Sequence, residues 1–268
     1  MSSAPRGSRT ALQRRRRNRR RTRAGLATLG LVVLIGAGAW LATGGGDTSN
    51  ASPHLERTRT TVGTPATQPS TVATTKVAQL KVFTQPDTAS PLVTTLTDTT
   101  EYGLRRTLLV DQQQGAWLHT LLPIRPNGSN GWVQAGDVTL SQITTAITVS
   151  ISKHELTLLD NGKPVLTAEV AVGTDQTPTP PGHFYITDPI DLTSSPNGTY
   201  GAYALGLSGY SEVLMSFNGG PGQLAVHGTP DASQAGKNIS NGCVRVPNDK
   251  VVALAKRVGL GTPVTITA

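Results

Sequence analysis

The chain contains one cysteine, Cys243, in 268 residues. That excludes an intramolecular disulfide and any multi-cysteine zinc centre, so the thiol has to be explained by its own surroundings. Aromatic residues are scarce, at 4%. With 29 glycines and 18 prolines beside them, this scarcity argues against a helical bundle and for short strands joined by many turns. Acidic residues are absent from the first 23 positions, which carry ten arginines. The formal charge of +8 is therefore local, because beyond Arg23 the balance is 14 basic against 16 acidic residues, a net of −2. A protein that neutralises many phosphates needs positive charge on its folded face or on an adjoining arm, and here an uncharged stretch fences it off. No nucleic-acid partner is expected.

Long apolar runs are also few. Ala24–Thr43 (AGLATLGLVVLIGAGAWLAT) is twenty residues without a charge, which at about 1.5 Å rise reaches about 30 Å, one hydrocarbon core. The arginine block before it has no counterpart after it, so residues 1–23 are expected in the cytoplasm and the rest on the outer side. A cleaved signal peptide and a buried core helix are the competing readings; the long basic region and the length of the run favour a retained single-pass anchor at 24–43. Residues 44–76, rich in Thr, Ser, Gly and Pro without apolar periodicity, read as a flexible stalk. Residues 77–141 read as a small all-β module punctuated by Gln85-Pro86-Asp87, Gln114-Gly115 and Asn127-Gly128. Trp117 and Trp132 are assigned to its core, and His119 to a structural or surface role. The run WLHTLLPIRPNGSNGWV resembles the bacterial SH3-like modules that precede catalytic domains in some exported cell-wall enzymes.

Residues 146–268 open with alternating runs around Asn161-Gly162, a strong hairpin signal. HFYIT, AYALGL, EVLMSF, QLAVH, CVRV and PVTIT are further strand candidates. One helix is expected after Asn248, read as its cap, with Val251, Val252, Leu254, Ala255 and Val258 as its apolar stripe. The fold class is mostly β, a sandwich-like domain with one C-terminal helix.

The chemistry concentrates in Ala225–Val246, AVHGTPDASQAGKNISNGCVRV. In an exported protein a lone cysteine is a buried small hydrophobe, an intermolecular link or a nucleophile. Ser240-Asn241-Gly242 is turn chemistry that would lift the thiol to a loop mouth, which favours the nucleophile. A thiol of pKa about 8.5 needs a base at neutral pH. His227 is the candidate, since it ends the strand-like QLAVH and can meet Cys243 if the two strands are neighbours. His54, His119, His154 and His183 lack a visible polar partner or lie outside the region. His154-Glu155 lacks the second histidine of a metalloprotease helix, so neither a metal nor a cofactor is expected. Ser208 is one glycine short of a nucleophile elbow, and Gly219-Gly220-Pro221-Gly222 lacks the Lys-Ser/Thr of a phosphate loop.

The pair HGT and SNGCVR resembles the signature of the L,D-transpeptidase (YkuD-like) catalytic domain, supported by TPTPPGHF, YGAYALGLS and GTPVTI. The resemblance implies an acyltransferase acting on peptidoglycan tetrapeptide stems as donor and acceptor. In it Cys243 is acylated with release of D-Ala, His227 is the base, and a neighbouring amine resolves the thioester to a 3-3 cross-link. It places the backbone amides of Asn241, Gly242 and Cys243 at the oxyanion, and Ser240, Gly228, Arg245 and Tyr203 beside the substrate. Arg245 is either a stem-carboxylate fork or half of a structural ion pair; Tyr200 and Tyr203 are either cleft-lining or packing residues. Many family members have His where this chain has Asn241, and some have Ser where it has Gly228. The second difference leaves a backbone carbonyl near Gly228 to hold the imidazole tautomer. The alternatives are an L,D-carboxypeptidase using the same acyl-enzyme and a catalytically silent wall-binding protein.

Overall fold

The structure, a computed structural model, describes residues 68–268. The segments expected to be a cytoplasmic tail, a membrane anchor and, up to residue 67, a stalk lie outside the described residues. Among those described, no helix is long and apolar enough to cross a bilayer.

Seven strands, β1 (Ser70–Thr75), β2 (Gln79–Phe83), β3 (Leu92–Thr97), β4 (Thr107–Gln114), β5 (Trp117–Leu121), β6 (Asn130–Gln134) and β7 (Val138–Ile143), form one sheet in the order β3-β2-β6-β5-β4-β1-β7. The module is therefore wider than its expected 77–141 bounds. Ser70–Thr75, read as the end of the stalk, is instead a strand paired on both sides, with β4 and with β7. Its β-branched residues suit a pleated surface, and Val72 and Ala73 are buried. The tryptophans are not its core. Their neighbours Leu118 and Val133 are, while Trp117 packs edge-on against Phe83 at 5.5 Å and Trp132 tilts over His119 at 5.0 Å. His119 has partners after all: Asp111 at 2.7 Å and Asn130 at 3.1 Å.

The second sheet contains β8 (Thr145–Ser150), β9 (Glu155–Asp160), β10 (Lys163–Glu169), β12 (Gly182–Asp191), β13 (Tyr203–Tyr210), β14 (Gln223–Thr229), β16 (Val244–Pro247) and β17 (Pro263–Thr267), in the order β10-β9-β8-β17-β12-β13-β14-β16. A short ribbon pairs β11 (Val172–Gly173) with β15 (Asn238–Ser240). Asn161 (φ 48°) and Gly162 (φ 73°) are both left-handed, as the expected hairpin turn requires. The sheet curls on itself: Leu158 and Ala168 from one end share a core with Val244 and Val246 from the other, and an Ala171–Arg245 bridge joins the ends. EVLMSF is not a strand. Val213 and Met215 are 51% and 68% exposed, because the run pairs only at Phe217, in a bridge to Gly220, and the backbone of Val213 and Leu214 is held by the side chains of Ser211 and Arg125 instead.

The helix α1 (Asn248–Ala255) buries Val251 and Leu254. Asn248 does not cap it; Pro247 occupies that position without a side-chain bond. The Asn248 amide instead accepts from Ala202 N at 2.8 Å and donates to Pro196 O at 3.0 Å, stapling the loop that carries Tyr200.

The two sheets are joined closely. Only Thr144 separates β7 from β8. Tyr185 of β12 is fully buried within the core of the seven-stranded module, beside Leu80, Leu108 and Leu118. Arg125 of the module donates to the carbonyls of Ser211, Leu214 and Pro221 at 2.5, 3.1 and 2.9 Å. Its guanidinium also stacks over Tyr210 at 4.9 Å.

Candidate active site

β14 and β16 are adjacent and parallel, with His227 opposite Arg245 and Val226 opposite Val244. This neighbour relation, on which the pairing of His227 with Cys243 depended, brings both side chains to one cavity. His227 is 3% exposed, and its Nδ1 lies 2.8 Å from the Gly228 carbonyl. A carbonyl only accepts, so Nδ1 carries the proton and Nε2 of the neutral ring keeps its lone pair. The backbone orienter anticipated at Gly228 is therefore in place. Tyr200 meets the imidazole edge-on, with ring centres 5.1 Å apart.

Burial lowers the His227 pKa to about 4, with the Arg245 charge adding and the Gly228 bond opposing. Burial pushes the Cys243 thiol up, against the Ala225 amide and Arg245, which favour thiolate. The resting pair at neutral pH is thus thiol and neutral imidazole, not an ion pair. A histidine depressed from 6.5 to about 4 favours the folded state fully above the unfolded pKa, and that contribution fades as pH falls through the folded one. Acidification from pH 6.5 to 4 is expected to remove about 3 kcal/mol of stability. Urea titrations across that range check this against His227→Asn, in which the loss is smaller.

The loop that presents the thiol is held from beneath. Ser240 Oγ accepts from Gly242 N at 3.1 Å and donates to the Cys243 carbonyl at 2.5 Å. Gly242 has φ 107°, and a Cβ there would lie 3.2 Å from the Pro178 carbonyl, so the position calls for glycine. Thr177 Oγ1 donates to the Ser240 carbonyl at 3.0 Å, and Thr179 Oγ1 to the Gly242 carbonyl at 2.9 Å. Thr179 Oγ1 also accepts from Gly173 N at 2.8 Å. These bonds turn the loop carbonyls toward the protein. Of the three amides expected at the oxyanion, that of Gly242 donates to Ser240 Oγ, whereas those of Asn241 and Cys243 find no partner among the described residues. Thr179→Val leaves a buried carbonyl and a buried amide unpaired, costing about 1–3 kcal/mol each. A loop displaced by about 1 Å is expected to lower turnover by up to about 100-fold, read as kcat alongside an unfolding curve that shows the chain still folds.

Arg245 has no carboxylate within ion-pair distance among the described residues. One amino group donates to Gln234 Oε1 at 3.0 Å, and its Nε is buried without a partner. Tyr203 does not line the cavity; it packs on the sheet core, and Tyr200 lines it instead. The roles of Thr177, Thr179 and Arg125 escaped the sequence reading, their only signal being TPTPP and a turn-like RPNG, and Asn248 was singled out for a different role. His154 and His183 do have polar partners, Asn238 at 2.6 Å and Thr265 at 3.2 Å. Ser208 is buried and accepts from Tyr185 N at 3.1 Å. Among the described residues no cluster of His, Cys, Asp or Glu is arranged to hold a metal.

A family profile described as the YkuD L,D-transpeptidase catalytic domain matches residues 144–266. YkuD of Bacillus subtilis is 39% identical over 120 residues, 45% of this chain and 64%, just under two thirds, of that protein. Its Bacillus licheniformis namesake is 34% identical over 154 residues, 55% of this chain and 84% of that one. Among solved structures, L,D-transpeptidase 3 from Mycobacterium tuberculosis aligns at 18% identity with a TM-score of 0.39, over 54% of this chain and 77% of that one. On the strength of the sequence matches, the chain belongs to the YkuD family of L,D-transpeptidase catalytic domains.

Proposed function

We propose that the protein is a peptidoglycan L,D-transpeptidase that forms 3-3 cross-links through a thioester on Cys243. The observation that carries this reading is His227, buried and tautomerically fixed by Gly228, on the strand next to the one that Cys243 precedes. Sγ attacks the carbonyl of the L-centre at stem position three as Nε2 takes the thiol proton. The oxyanion is met by the amides of Asn241 and Cys243. The carbon–nitrogen bond to D-Ala then breaks, and its amine leaves with the proton from His227. The side-chain amine of a second stem attacks the thioester, restores the thiolate and passes a proton back through His227. Transient charge on the imidazole becomes acceptable once the neighbouring oxyanion forms, which reconciles a weakly basic resting histidine with its role. The spare donors of Arg245 hold a stem carboxylate.

The readings of residues 24–43 as a membrane anchor, of the catalytic domain as facing the wall, and of the module expected at 77–141, whose strands span 70–143, as SH3-like belong to the same proposal. Product analysis by mass spectrometry on tetrapeptide stems, with and without an acceptor, tests it. Dimeric stems lacking one D-Ala support transpeptidation; tripeptide alone identifies a carboxypeptidase; unchanged stems reject both.

A further inference from the structure

The cavity at Cys243 is small, about 30 Å³, but it does not end there. Gln223 and Leu224 also line a second cavity of about 270 Å³, and Gln223 a third of about 160 Å³. The floor is a cross-strand row: Cys243 precedes the position paired with Val226, Ala225 pairs with Gly206, and Gly206 pairs with Asp188. Ala204, Gly206 and Ala225 pave it with almost no side chain. At the far end stands Asp188, 3% exposed, whose Oδ1 has no hydrogen-bond partner. A register shift between Ile186 and Asp188 re-aims this carboxylate. Its Oδ2 and the Gln223 amide converge over Gly206, 3.4 and 3.3 Å from where a Cβ would sit. The seven-stranded module closes this end with Glu101 and Tyr102, which line both outer cavities.

A buried carboxylate without a partner is costly unless something positive meets it. Arg106 also lines the third cavity, but its guanidinium is committed to its own module, donating to the carbonyls of Thr97 and Thr99 at 2.6 and 2.7 Å. It forms no ion pair with Asp188 among the described residues. A second carboxylate, Glu101, faces the same space. The row crosses three strand spacings, about 14 Å; a hydrogen bond of about 3 Å at the Asp188 end and an attack distance of about 3 Å at the sulfur leave about 8 Å to be bridged. An extended diamino-acid side chain carries its far amine about 7 to 8 Å from its own carbonyl carbon, given bonds of about 1.5 Å.

We propose that Asp188, with Glu101 and Tyr102 of the seven-stranded module, is a recognition subsite for the side-chain ammonium of the donor stem's diamino acid while its carbonyl lies at Cys243. The seven-stranded module is then part of the specificity apparatus. This rests on the proposed reaction, and the test keeps the two apart. Two N-terminally blocked tetrapeptide stems, one with the diamino acid's free side-chain amine and one with that amine acetylated, are titrated calorimetrically into the full-length Cys243→Ala chain. The free amine is expected to bind about tenfold more tightly, as a charge-assisted bond permits. Asp188→Asn with Glu101→Gln is expected to bring the two stems within twofold. Equal affinities in the parent, or an undiminished preference in the variant, overturn the subsite. D-Ala release by the unsubstituted chain is measured in parallel. Its absence from both stems would reject the transpeptidase reading, while the binding ratio would still decide the subsite.

Discussion

Replacing Cys243 by alanine is expected to abolish both D-Ala release and cross-linking, a fall of at least about 1,000-fold, because no other group can form the acyl-enzyme. The substitution removes one half-buried sulfur and leaves the backbone bonds of Ser240, Thr177 and Thr179 to hold the loop. Thermal unfolding should therefore change little. The measurement that separates covalent catalysis from simple positioning is intact-protein mass. A carbapenem-type acylating agent should add one equivalent to the unsubstituted chain and none to Cys243→Ala. Turnover retained by the variant, or an adduct on it, would remove the assignment.

The second large effect concerns His227. His227→Asn keeps a donor for the Gly228 carbonyl but offers no base, and D-Ala release should fall by about 100- to 10,000-fold. The protonation states make a finer prediction. Burial holds the imidazole neutral down to about pH 4 and pushes the thiol up, so the substrate-free thiol should react sluggishly with iodoacetamide at pH 7. Because little thiolate is present to lose, His227→Asn should change that alkylation far less than it changes turnover. Rapid alkylation that collapses in the variant would indicate a resting ion pair. The acid limb of kcat/KM should correspondingly fall near pH 4 rather than 6.5.

The meeting of Cys243 and His227 at one cavity was legible in the sequence because its signals are local. Ser240-Asn241-Gly242 spells a turn, Cys243 is unique, and His227 closes a strand pattern, so the pair and even the carbonyl that orients the ring could be anticipated. What was not legible depends on partners distant in the chain. Asn248 has every local mark of a helix cap, yet the backbone of Ala202 and Pro196 claims its amide. EVLMSF has strand composition but no strand beside it. Ser70–Thr75 looks like stalk because threonine serves linkers and strands alike, and only pairing with β4 and β7 decides which. The Gly242 amide could not be known to be engaged until Ser240 was seen to fold back on it. Asp188 carries no sequence signal, since a one-residue shift in strand register determines where it points.

Tyr185 has a consequence for how the molecule holds together. Its ring belongs to β12, two strands from the one bearing His227, but completes the apolar interior of the neighbouring module. A tyrosine buries on the order of 150–250 Å², and removing the module would return that area to water. Gly261, on the turn before β17, lies so close to the module that a Cβ there would sit 2.6 Å from Val72 Cγ1. The chain is therefore not a catalytic-domain bead threaded beside a spacer. The two sheets are thermodynamic dependants, and damage to either is felt at the thiol as a shift in the population of the whole folded state.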